Sequence, residues 1–199
     1  DPPQRRIPPK ICDSCPERNW CETVPITDSA AMNWRTLGLI SPDGTPTRRG
    51  ILFSFFQHGE GLAVAAALED PTYSVDDLIF DLADLRGGPR FADEDGQTTG
   101  RLAMVAQRTF RNADYEGYLR FGIPSEYGAG ASEAIRNIVQ LGLPRQELLS
   151  DTLRMGDIER AMLEWRSLLR HITHAPAYEW PRWEQLQIAA NQMLTSLPA

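Results

Sequence analysis

The chain is short of lysine, cysteine and long apolar runs. Lys10 stands alone against 19 arginines, and Cys12, Cys15 and Cys21 are the only cysteines in 199 residues. A single lysine, with no G-x-x-x-x-G-K-[ST] run, excludes a phosphate-cradling nucleotide loop, and "GEG" and "GGP" lack the strand-then-helix setting such a loop needs. An odd, small number of cysteines excludes a disulfide framework. With the polar, proline-rich start "DPPQRRIPPK" in place of a secretory leader, it favours a reducing, cytoplasmic setting. No stretch of about 18 apolar residues occurs, so no membrane-spanning helix is expected. No G-x-S-x-G elbow marks a hydrolase nucleophile. The first residue is Asp1 rather than Met, and the chain is expected to be a fragment or processed piece of a longer protein.

What is present is ordinary soluble-protein material. Hydrophobic residues make up 42% and charged residues 24%, enough to bury a core without staples. The formal net charge of −7 argues against a free-standing, tight nucleic-acid binder, though a module riding on a basic neighbour remains compatible with it.

The expected fold is mostly α: a helical bundle preceded by a short, winged-helix-like β-hairpin and an extended, cysteine-containing arm. Residues 1–26 carry six prolines and read as the arm or linker. In residues 27–58, "TDSAAMNWRTLG" reads as a helix capped by Thr27 or Asp28 and stopped by Gly38. "LISPDGTPTRRG" then reads as a strand-like pair of residues, an SPDG turn and a return. Residues 59–199 form the helical domain. A buried alanine-rich helix is expected after a break at Gly59–Gly61. Ser74 and Asp77 propose a capping box for the helix that Gly87 stops, and "FADEDGQTTG" reads as a loop. Further helices are expected in "RLAMVAQRTFRNA", "SEAIRNIVQLG" and, more briefly, "PRQELLSDTLRMG", the last forming a corner with the long helix that follows it. That helix is the clearest: Ile158, Ala161, Met162, Trp165, Leu168, Leu169 and Ile172 recur at i, i+3, i+4 and i+7. Pro181 opens a final helix.

The C-x2-C-x5-C run "CDSCPERNWC" is the strongest chemical signal. Thiolates at that spacing reach one zinc or iron–sulphur centre, so Cys12, Cys15 and Cys21 are the candidate metal ligands, with a fourth ligand outside the chain. Surface or packed thiols are the equal alternative. His58 reads as a capping or core residue. His171 and His174, three apart at a helix end, read as partners of the helix dipole rather than ligands. Aspartates and glutamates read as solvated faces. Arg48 and Arg49 follow the hairpin where phosphate contacts often fall, and Arg160, Arg166 and Arg170 lie on the polar face of the long helix, interleaved with Glu159 and Glu164.

Two resemblances follow. The cysteine run resembles the C-terminal part of the four-cysteine iron–sulphur staple of recombination and CRISPR-associated nucleases, over ten residues. "LGLISPDGTPTRRGILFSFF" resembles the winged-helix end of superfamily-two DEAD/DEAH-box helicases of the superkiller type. "GDIERAMLEWRSLLRHI", with Gly156, Asp157, Arg160, Leu168, Leu169, Arg170 and Ile172, is similar to a segment of their C-terminal helical domain. This resemblance implies a non-catalytic accessory region that scaffolds upstream helicase core domains, where ATP would bind, and guides single-stranded DNA or RNA. In this sequence, the cysteine arm stands where the first helix of a winged-helix unit would be. The alternatives are a structural or protein-interaction module without nucleic-acid contact, or an accessory domain or enzyme carrying a metal at the cysteines.

Overall fold

The computed structural model describes residues 10–23, 29–91 and 100–197. The expected caps Thr27 and Asp28, the loop 92–99 and the proline-rich start lie outside the described residues. Within them the chain is mostly helical, and the only β pairing is three isolated bridges.

The cysteine arm is not extended where it is described. Lys10–Ser14 is a 3-10 turn and Arg18–Thr23 a short helix, α1. The prolines allow this because Pro16 falls between the two turns rather than inside either.

Helix α2, Ala30–Thr36, is capped by Ser29, whose hydroxyl accepts from the Met32 N–H at 3.3 Å. Gly38 ends it with φ +72°, the left-handed stop expected of glycine. The chain then doubles back over the SPDG turn. Ile40 pairs with Pro46 in an antiparallel bridge, and Asp43 accepts from the hydroxyls of Ser41 and Thr45 and from the Thr45 N–H. Those bonds, Ser41's foremost, lower the Asp43 carboxyl to about 2. Thr47 caps helix α3, Arg48–Phe53, by accepting from the Gly50 N–H, and donates to the Gly38 carbonyl at 2.6 Å. A Cβ at Gly50 would stand 1.9 Å from the Leu39 carbonyl oxygen, so only glycine lets α3 sit this close to the returning chain.

The expected break follows. Helix α4, Glu60–Glu69, begins after Gly59, where φ is +80°. Every residue from Glu60 to Leu68 is buried. Alanine at 63 and 65–67 permits it, because small side chains let neighbours approach from all sides. His58 differs from its expected role: it is exposed, with φ +46°, and neither caps a helix nor enters the core.

Helix α4 packs against α3 and α6 (Arg101–Phe110), while α5 (Val75–Asp81), α7 (Gly130–Val139), α8 (Met155–His174) and α9 (Pro181–Ser196) pack on one another, α8 against α9 and α7 and α5 against α9, α7 and α6. Ser74 caps α5 by accepting from the Asp77 N–H. The chain tightens into a 3-10 turn at Leu82–Arg86 instead of continuing as one α-helix to Gly87. The segment before α8 is shorter than its pattern suggests, a single 3-10 turn at Arg145–Leu148. In α8 all seven residues of the apolar stripe are buried. The indole N–H of Trp165, its central member, donates to the Ile79 carbonyl at 2.8 Å, and the ring stacks on Phe80. One apolar cluster reaches from Leu37, Leu39 and Leu52 beside the SPDG turn to Ala190 in α9.

Candidate nucleic-acid interface

The two arginines after the turn have different fates. Arg49 is drawn inward. Its guanidinium pairs with Glu69, donates to the Leu37 carbonyl at 2.7 Å and lies 5.4 Å over the Phe110 ring. It fastens the end of α2 and the start of α3 to α4 and α6, so its donors are committed to the protein. Arg49→Ala is expected to cost about 1.5–3 kcal/mol, the range for hydrogen bonds to a charged group, read as a shift of the urea midpoint.

Arg48 is exposed, with its guanidinium 5.6 Å over the ring of buried Trp180, the residue before α9. Gly38, Thr47, Arg48, Leu68, Glu69 and Trp180 line an open groove there.

Helix α8 presents a second cationic surface. Positions 160, 163, 167, 170 and 174 follow one another at steps of three and four and are all exposed, so they form one ridge opposite the buried stripe. Arg160 and Arg170 lie about 15 Å apart along it at 1.5 Å per residue. Each of the interleaved acids has a cationic partner. Glu159 pairs with Arg145 at 3.1 Å and Glu164 with Arg86 at 3.4 Å. Arg166 is half-buried beside this ridge rather than on it.

The metal expectation is corrected. Among the described residues no group of His, Cys, Asp or Glu is placed to hold a metal ion, so Cys12, Cys15 and Cys21 do not form a zinc or iron–sulphur site. All three are free thiols, Cys12 half-buried and the others exposed. Local structure is the cause: Cys12 belongs to the first 3-10 turn, Cys15 lies just beyond it, and Cys21 is carried off on α1. The histidines of α8 are used otherwise. His171 Nε2 bonds the Phe55 carbonyl and its ring packs on Phe55 and Phe56, while His174 Nδ1 meets the Arg170 carbonyl at 2.7 Å. The first ties the end of α8 to the segment after α3, and the second closes the last turn of α8 on itself.

Three carboxylates depart from the solvated faces expected of them: Glu60, Asp81 and Asp84 are buried. Glu60 receives both Nε and Nη2 of Arg86. Asp81 accepts from Arg136 at 2.8 Å and from the Tyr73 hydroxyl at 2.6 Å. Burial first, and the Asp81 charge second, raise the Tyr73 hydroxyl, which therefore stays a donor. Asp84 is met by Ser132 and Tyr127. A signal was available for Asp81 and Asp84. They interrupt "LIFDLADL", where all other residues are apolar, at a spacing of three that puts both on one helical face.

No family model matches the chain, and no curated protein or solved structure matches it.

Proposed function

We propose that the chain is a non-catalytic accessory region of a nucleic-acid motor, with the body of helices as scaffold and the α8 ridge as the track along which a single strand is guided. The observation that carries this reading is the ridge. Arg160 and Arg170 are exposed on one line, while the neighbouring Glu159 pairs with Arg145 and Glu164 shares Arg86 with Glu60. A locally positive line can act on a protein of net charge −7 because screening limits distant charges to about 8–10 Å at ordinary salt. Arg48, its guanidinium 5.6 Å over the Trp180 ring beside the SPDG turn, supplies a further planar cation suited to contacting a phosphate or stacking on a base. Helicase core domains would be the partners of the scaffold.

The test is fluorescence anisotropy with labelled oligo-dT and oligo-U at low and moderate salt. The expected result is weak, salt-dependent binding, with a slope of about 0.7 per phosphate contact on logarithmic axes. Arg160→Glu with Arg170→Glu should weaken it at least about tenfold by removing two contacts and adding repulsion. Absence of binding, even for the longer protein carrying the motor, or equal binding by the double variant, overturns the strand-guiding part. A protein captured through the same ridge, with no nucleic-acid footprint, would favour the interaction-module alternative. Leu163, 65% exposed between the two arginines, is the residue suited to that role.

A further inference from the structure

The charged side chains lining the groove beside the SPDG turn are Arg48, Arg49 and Glu69. Its volume is about 540 Å³, inside the roughly 300–1,000 Å³ typical of small-ligand pockets. Two guanidiniums against one carboxylate leave the groove one net positive charge, in a protein of net charge −7. Its walls come from separate parts of the fold: Gly38 after α2, the start of α3, the end of α4 and Trp180 before α9.

The backbone under Arg48 is fixed. Thr47, the residue before it, donates to the Gly38 carbonyl at 2.6 Å and accepts from the Gly50 N–H at 3.1 Å. The Arg48 guanidinium lies 5.6 Å over the ring of Trp180. That residue is 6% exposed, and its carbonyl accepts from the Trp183 and Glu184 N–H groups at the start of α9. A planar cation is therefore backed by an anchored ring on one face, while the side chain stays exposed. Among the described residues no hydrogen bond or ion pair claims the Arg48 donors. Glu69 offers the opposite chemistry. Arg49 Nε and Nη2 donate to its two oxygens, one each, and its side chain is still 36% exposed, so each oxygen keeps a lone pair for another donor. Arg49 is fastened in turn to the Leu37 carbonyl and the Phe110 ring, which holds the carboxylate in one orientation.

An acidic peptide would bring a second carboxylate against Glu69, and a bare phosphate would use only the cation. A nucleotide matches every part: one phosphate for the one net charge, a flat base for the guanidinium face and a base amino group for the carboxylate. We propose that the groove takes one unstacked base of the strand, face to face with Arg48, and prefers bases whose amino group donates to Glu69. This rests on the strand-guiding reading of the α8 ridge and adds to it the reading of a base. Cytosine, adenine and guanine carry such an amino group. Thymine and uracil present a single ring N–H flanked by two carbonyls, whose oxygens repel the carboxylate.

The ridge meets phosphates, which carry no sequence information, so a base preference has to arise elsewhere. Anisotropy with labelled oligo-dC and oligo-dT of equal length, near neutral pH, measures it on the wild type, on Arg48→Lys and on Arg160→Glu with Arg170→Glu. The wild type should bind oligo-dC at least about fivefold more tightly than oligo-dT. Arg48→Lys keeps the charge but not the plane, and should bring the two affinities within about twofold of each other through a loss on oligo-dC. A smaller wild-type preference, or one that survives in Arg48→Lys, overturns the base pocket. If the two oligonucleotides bind alike and both weaken in the ridge double variant, the pocket falls and the ridge stands. No binding of either removes both.

Discussion

Trp165→Ala is expected to lower the unfolding free energy by about 3–5 kcal/mol, the range for removing a large buried aromatic. Trp165 is 1% exposed and belongs to the buried stripe of α8. The indole is stacked on Phe80, 5.9 Å between ring centres, and its N–H donates to the Ile79 carbonyl, so both partners belong to α5. The alanine variant therefore loses packing and also leaves a buried carbonyl without its donor. Trp165→Phe separates the two contributions, since it keeps a stacked ring and loses only the N–H and some volume. It should cost distinctly less than the alanine change. Urea unfolding of both variants measures this, and a loss below about 1 kcal/mol for Trp165→Ala would mean that the α8–α5 contact does not hold the bundle together.

Arg86→Met should be nearly as damaging, for an electrostatic reason. The Glu60 side chain is 4% exposed and that of Arg86 25%. Removing the guanidinium strands a carboxylate in the core at the start of α4, whereas removing the carboxylate leaves an arginine that still has water and Glu164. Breaking a buried pair from one side costs about 3–5 kcal/mol, and the partial exposure of Arg86 places this case toward the lower end. The double change Glu60→Leu with Arg86→Met should recover most of that loss, because neither charge is then buried alone. A double-mutant cycle reads the difference directly. A loss for the double variant equal to the sum of the two single losses would show that the pair is not coupled.

These two residues mark how unevenly the sequence can be read. Trp165 was legible because a 3.6-residue period needs only the chain itself: the stripe from Ile158 to Ile172 is one helix's own geometry, and every member is buried. The break before α4 and the turn after Gly38 were legible for a similar reason, since glycine acts on its own backbone. The partner of Glu60 was not, because Arg86 is 26 residues away and meets it only once α4 and the Leu82–Arg86 turn are packed. The same limit governed the candidate interface. Arg48 and Arg49 are adjacent in sequence and look alike, yet Glu69, Leu37 and Phe110 claim one and leave the other at the surface. The cysteine run misled in the opposite direction. Its spacing satisfies a ligand pattern, but spacing carries no information about where the thiols point once Cys21 is on a helix of its own.

The burial of α4 on every side has a consequence for measurement. A helix with a solvent-facing row can lose its amide protons by fraying or small local openings, while the rest of the fold stays intact. From Gly61 to Leu68 no residue offers such a row. Deuterium should enter those amides only when the whole molecule opens. Their exchange rate is then a clock for global unfolding in the absence of denaturant, against which faster segments elsewhere in the chain can be timed.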